Sequence, residues 1–210
     1  MSQPVRRGGV ATQADGSEVV WSVADGRRGR RWRAITRRGG TFTSSVLLEV
    51  GTDGRPARLE VGTTAGLLTL HPDTTGSLHG NAVTADGVRH LTLRWSDEHE
   101  LEVEPVAISA AVTAHRLGRS VPVGERTVVP VVAIALDFAV DEVTRRYVRL
   151  DAATWRIERD GDPRTVAVDD RGLPVWPPST GSPAEGVDWP PSTGSPAEGV
   201  DWPLELDPGA

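Results

Sequence analysis

Between Val46 and Val168 the chain is a succession of short segments in which apolar and polar residues alternate, broken by Gly, Asp and Asn, with little that favours helix. Alternation is the signature of a strand with one buried face, and turn residues every ~8 to 12 positions are what an all-β sandwich or barrel shows. A meander this long must curl, around its own side chains or around a ligand. The expected fold is therefore all-β, or β with one or two short helices, built on a curved antiparallel sheet that forms an incomplete barrel.

Residues 1–16 are polar and Gly-rich and read as a flexible leader to a single β-rich domain over 17–175. Within it, Val106 to Leu117 is ambiguous. It is Ala-rich and ends in Leu117-Gly118, as a capped helix would, yet Val106, Ile108, Ala110 and Val112 alternate, which tips the reading toward extended structure. The stretch Trp176 to Asp188 recurs letter for letter as Trp189 to Asp201, and its Pro, Gly and Ser content suits a disordered spacer. In the remaining tail, 202–210, the run Trp202 to Leu206 alternates again and could dock as an edge strand.

No run approaches the roughly 18 to 20 apolar residues of a membrane span, and no apolar segment follows the basic residues near the N-terminus, so neither a transmembrane segment nor a signal peptide is expected. Cysteine is absent, which removes disulfides, thiol nucleophiles, thiolate metal sites and a lipobox cysteine together. A cytoplasmic location is the expectation. The net charge of −6 argues against a general nucleic-acid binder. Locally the balance inverts, because Arg27, Arg28, Arg30, Arg31, Arg33, Arg37 and Arg38 lie in one stretch without an acid. With Trp32 among them they could bind phosphate or a single strand, or form a solvated edge strand.

Asp86-Gly87 between two alternating runs signals a two-residue hairpin turn. Counting from it pairs Val83 with His90 and Asn81 with Thr92. One face then carries Leu78, Gly80, Ala82, Leu91, Leu93 and Trp95, and the other His79, Asn81, Val83, His90, Thr92 and Arg94. The second face could receive a sugar or head group, or simply meet solvent. In this register His79 and His90 stand about 13 Å apart, too far to share a metal ion. Further on, Val131 to Val140 reads as one strand with bulky residues on one face and Val131, Ala133, Ala135 and Ala139 on the other, leaving room for a helix or an apolar ligand. Asp137 shares that small face and, if buried, needs a partner from the Arg rows around Tyr147. There is no nucleophile elbow, paired-His helix motif or Gly-rich phosphate loop, so no catalytic residues, metal or cofactor are expected.

Several segments together resemble a bacterial family named for glycolipid binding and formerly a domain of unknown function. They are Trp32-Arg33, the run from Gly76 to Asn81 leading to Trp95, HRLGRSVPVG from His115 to Gly124, the Val-rich run from Val128 through Arg146-Tyr147, and DDRGLP from Asp169 to Pro174. The resemblance spans about residues 30–175 and implies an incompletely closed antiparallel barrel, similar to lipoprotein-carrier folds, with an apolar concavity and no catalysis. Trp95, Arg116 and Tyr147 are the positions it carries over most directly. Where the family has Thr-Asn and a Pro ahead of its Arg-Leu, this chain has AAVTAHRL from Ala110 to Leu117.

The expected function is non-catalytic binding or carriage of a glycolipid or other amphiphile, with its tail near Ala133 and Ala135 and its head near polar side chains such as His79, Asn81 and Arg116; Arg33, His90, Trp95 and Tyr147 are the further ligand-binding residues expected. The alternatives are a scaffold with a filled core and no ligand, a hydrolase of a lipid or sugar ester, and an anion or nucleic-acid binder acting through Arg27 to Arg38.

Overall fold

The computed structural model describes residues 6–13, 15–159, 163–170 and 172–175; the duplicated segment and the expected edge strand after it lie outside them. The protein is mostly β, with two sheets, one of them curled into a half-barrel, and one helix among the described residues. The first sheet has eight strands in chain order: β1 (Arg6–Thr12), β2 (Glu18–Gly26), β3 (Gly29–Arg38), β4 (Thr41–Val50), β5 (Pro56–Thr63), β6 (Gly66–Pro72), β7 (Ser77–Thr84) and β8 (Gly87–Arg94). The second contains β9 (Glu100–Val103), β10 (Arg126–Ile134), β11 (Val140–Arg149), β12 (Thr154–Glu158), β13 (Arg164–Val168) and β14 (Pro174–Val175), with β9 at one edge and β14 at the other. All pairs are antiparallel except β9 with β10, which run parallel. A parallel pair needs a crossover, and helix α1 (Ala107–Leu117) supplies it.

Alternation produces the core as the sequence requires. Trp32 and Ala34 of β3 stand opposite Leu48 and Val46 of β4, and with Val19, Val23, Leu59, Val61, Leu68, Leu70 and Leu78 they bury one face of the eight-stranded sheet. That face is covered by Leu101 and Val103 of β9, Ile108 and Val112 of α1, Val132 and Ile134 of β10, and Phe138. Burying a Leu or Val side chain contributes about 1.5–3 kcal/mol, so the filled face stabilises both sheets. The opposite side of α1 packs Ala110, Ala111, Ala114 and Leu117 against Val129, Val131, Tyr147, Trp155 and Ile157.

The structure corrects five expectations. Residues 107–117 are helical because both sides of the segment are buried, Ile108 and Val112 on one cluster and the alanines on another, a division that helical spacing provides. Arg6–Thr12 is no leader but strand β1. Trp21 on β2 lies over Gly9, where an added Cβ would come within 2.9 Å of its ring, so the glycines that suggested looseness are what the close packing needs. Val131 to Val140 is not one strand: β10 ends at Ile134, and Ala135 to Ala139 turn into β11 with Phe138 at φ 67°, directed back into the core. Asp137 is accordingly exposed, accepting from Ala139 N at 3.0 Å rather than pairing with an arginine. Finally, the β7–β8 turn is Ala85-Asp86, closed by Thr84 opposite Gly87, so the ladder is displaced by two residues and pairs Asn81 with His90 and His79 with Thr92. An even displacement leaves the two faces as expected.

Candidate functional site

Three parts of the chain meet at one end of the covered face. The tip of the β2–β3 hairpin brings Asp25, Gly29 and Arg30, with Trp32 just inside it. The β4–β5 turn brings Gly51, Thr52 and Gly54. The C-terminal turn of α1 and the residues after it bring His115, Arg116 and Arg119. Together they enclose a cleft of about 260 Å³. Two glycines permit this approach. Gly29 has φ 124°, and a Cβ there would lie 2.0 Å from the carbonyl oxygen of Val50; at Gly54, with φ 83°, a side chain would meet Arg116 and Arg119.

The cleft is cationic, and its charges differ in how they are balanced. Arg30 donates to Asp25, Nε to Oδ1 at 2.6 Å, and its guanidinium lies 5.5 Å from the Trp32 ring centroid. Arg116 pairs with Glu100, which is 2% exposed and takes a second hydrogen bond from Thr113 at 3.2 Å. Burial pushes the Glu100 carboxyl above its ordinary pKa, and Arg116 pulls the other way. Arg119, which is exposed, has no ion pair among the described residues. His115 is held below its usual pKa first by burial and then by Arg30 and Arg119, against the pull of Asp169. At the inner wall, the Trp32 indole Nε1–H is buried with no hydrogen-bond partner among the described residues. A second hollow, about 690 Å³, shares the hairpin tip and Arg30 and is lined further by Arg27, Arg28, Arg31, Glu49 and Arg58.

Of the nine residues singled out from the sequence, only Arg116 lines the first cleft. Arg33 points away from it, because strand alternation turns Trp32 inward. His79, Asn81 and His90 do come together, on the outward side of β7 and β8. There they bond with neighbours: His79 Nε2 lies 2.9 Å from Asp73 Oδ2, and His90 Nδ1 lies 2.6 Å from Asn81 Oδ1. Hydrogen bonds, led by that from the Thr75 hydroxyl, hold Asp73 well below the usual carboxylate range. Trp95 stacks on His99 at 5.4 Å in a separate hollow with Arg55 and Asp73. Tyr147 is fully buried, and burial drives its phenol pKa upward. Ala133 is half-buried and opposite Glu102 and Asp141, while Ala135 begins the β10–β11 turn. These positions therefore belong to several places and not to one pocket. The Arg run is likewise divided: Arg30 enters the cleft, Arg31 binds Glu49 at 2.7 Å, and Arg27 and Arg28 are exposed at the hairpin tip.

The residues singled out for the site left out His115 and Arg119, and Arg30 and Trp32 entered only through the Arg run weighed as an alternative anion site. Trp32 and His115 to Arg119 stood inside quoted motifs, and the alternation of Trp32 with Ala34 marked which side of β3 faces inward. A hydrogen-bonded chain at His99 was also missed. Ser96 Oγ lies 2.8 Å from Nδ1 of His99, whose Nε2 lies 3.2 Å from Glu142 Oε1. The order is that of a hydrolase triad, but Ser96 N–H also donates to Nδ1 at 3.0 Å and His99 N–H to Ser96 O at 3.0 Å. Those bonds are the closure of a four-residue turn.

Among the described residues no group of three or more His, Asp or Glu could hold a metal ion, and no helix is long and apolar enough to cross a membrane. No family model matches the chain, and no curated protein matches its sequence. The crystal structure of a DUF1089 family protein from Pseudomonas aeruginosa is similar in fold, with a TM-score of 0.51 and 18% sequence identity over 84% of this chain and 91% of that one.

Proposed function

We propose that the protein is a non-catalytic binding protein for an amphiphile, a glycolipid of the kind the sequence resemblance implies, and that it receives the polar head in the cleft between the β2–β3 hairpin and the end of α1. The observation that carries this reading is the meeting of Trp32 and Arg116 at one hollow. Both come from segments of the resemblance, yet they are far apart in sequence. The cleft's size suits a head group, whereas the face that would have taken a tail is covered by Ile108, Val112, Val132 and Phe138. The hydrocarbon part therefore stays outside the fold. The small-residue strip at Ala133 no longer serves it, since Glu102 and Asp141 stand in register beside that residue. The cytoplasmic location expected from the sequence belongs to the same proposal.

Native mass spectrometry of the protein purified from a bacterial host without detergent tests it. A retained adduct that organic extraction releases, and that is depleted in Arg119→Ala, is the expected result. A bare polypeptide mass that stays bare after incubation with liposomes of total bacterial lipid would favour a filled scaffold instead.

A further inference from the structure

We infer that the group bound in the cleft is a phosphoryl group, or an oxyanion of the same shape, held by the guanidinium groups of Arg119 and Arg30 and by the indole N–H of Trp32. This rests on the reading of the cleft as a ligand site and narrows it to a charge and a geometry.

Charge comes first. Three arginines line the cleft, and one carboxylate, Asp25, lines it with them. Glu100 behind the wall neutralises Arg116, and Asp25 neutralises Arg30, while Arg119 has no ion pair among the described residues. Burial first, and then Arg30 and Arg119, lower the pKa of His115 against the pull of Asp169, so two of the cleft's arginines stand close enough to act on that ring. A neutral sugar would gain little from such a field. An oxyanion gains from every guanidinium that reaches it, and planar guanidinium forks match tetrahedral oxyanions.

The second observation is a donor with no hydrogen-bond partner among the described residues, the Trp32 indole N–H. Trp32 is 1% exposed, and a buried N–H left unpaired loses the hydrogen bond that water would otherwise give it. Indole N–H is a donor only, so its missing partner must be an acceptor. The Arg30 guanidinium lies 5.5 Å from the centroid of the same ring, so a cation stands close to the side chain that carries this donor. A cationic rim and a neutral donor at the inner wall together describe a receptor for an anion with several acceptor oxygens. The adjoining hollow, with Arg27, Arg28 and Arg58, extends the positive field along the path of approach.

The test uses the full chain, with isothermal titration of inorganic phosphate and flotation with three vesicle types: phosphatidylcholine alone, phosphatidylcholine with phosphatidate, and phosphatidylcholine with a neutral galactolipid. Binding of phosphate, of phosphatidate vesicles or of both is expected, weakened about tenfold or more by Arg119→Ala, which removes an exposed side chain. In ¹⁵N spectra the indole resonance assigned by Trp32→Phe should move downfield on binding. Phosphate without phosphatidate identifies a soluble phosphate ester as the source; phosphatidate without phosphate identifies a lipid head. Capture by galactolipid vesicles alone would overturn the oxyanion and leave the binding function standing. No binding to any probe would overturn both. Phosphate binding that neither Arg119→Ala nor the Trp32 resonance reports would place the anion elsewhere and refute the assignment.

Discussion

Arg116, which lines the cleft, turns its guanidinium onto the carboxylate of Glu100 behind it, an ion pair with one partner 2% exposed and the other reaching the cleft. Such a pair is asymmetric. Arg116→Met leaves a buried carboxylate with Thr113 as its remaining hydrogen-bond donor, an expected loss of about 3–5 kcal/mol. Glu100→Gln removes the buried charge and leaves an arginine that water can reach, so its cost should stay within about 1 kcal/mol. Urea unfolding of the two variants decides the point; equal losses would refute the asymmetry.

His115 should make anion binding depend on pH. Burial, Arg30 and Arg119 hold its pKa below the ordinary 6.5, with Asp169 opposing, so at neutral pH the ring is uncharged. As pH falls through the lowered value the ring gains a positive charge beside Arg116 and Arg119, and sulfate, which remains a dianion there, should bind more tightly. The sign for folding is the reverse. The unfolded chain takes up this proton first, so the contribution of His115 to stability declines as pH drops from about 6.5. Titrations of sulfate against the wild type and His115→Gln check both effects; an equal pH slope in the two proteins would contradict the assignment.

Ser96 should be chemically quiet. Its hydroxyl and its amide both bind Nδ1 of His99, and the bonds hold a turn. Incubation with a fluorophosphonate is expected to leave Ser96 unmodified, and Ser96→Ala is expected to cost about 1 kcal/mol for the lost hydrogen bond. Labelling at Ser96 would instead revive the ester-hydrolase alternative, with Glu142 orienting the imidazole.

Gly29→Ala should disrupt the cleft and the fold together. The backbone there has φ 124°, and the new methyl would stand 2.0 Å from Val50 O, a backbone atom that cannot give way cheaply. We expect a loss of more than about 1 kcal/mol in thermal or urea unfolding, with anion binding weakened in the protein that remains folded. Wild-type stability in this variant would show that the hairpin tip can withdraw from β4.

Much of the first sheet was legible because each of its strands announces itself locally. Val46, Leu48 and Val50 alternate with Ser45, Leu47 and Glu49, and the neighbour in the sheet is always the neighbour in sequence. The second sheet was harder for the opposite reason. The parallel pairing of β9 with β10 is decided across α1, and no residue in either strand records it. In α1 itself the alternation of Ile108, Ala110 and Val112 is genuine in sequence but belongs to two helical sides, Ile108 and Val112 on one and Ala110 on the other. Phe138 misled more completely, because an apolar residue at positive φ looks like a strand residue until the turn is seen. The cleft was half legible. Trp32 and Arg116 stood in recognisable segments, while the value of Arg119 depends on what is absent around it, which only packing reveals.

The order of the strands has a consequence for how the protein is made. β1 to β8 can pair hairpin by hairpin as they leave the ribosome, so the sheet needs little long-range search. Its covering does not exist at that moment. Ile108, Val112, Val132 and Phe138 all follow β8, and at roughly 5–20 residues per second the apolar face waits some seconds for them. During that interval the nascent sheet offers a surface to chaperones that the finished protein never shows.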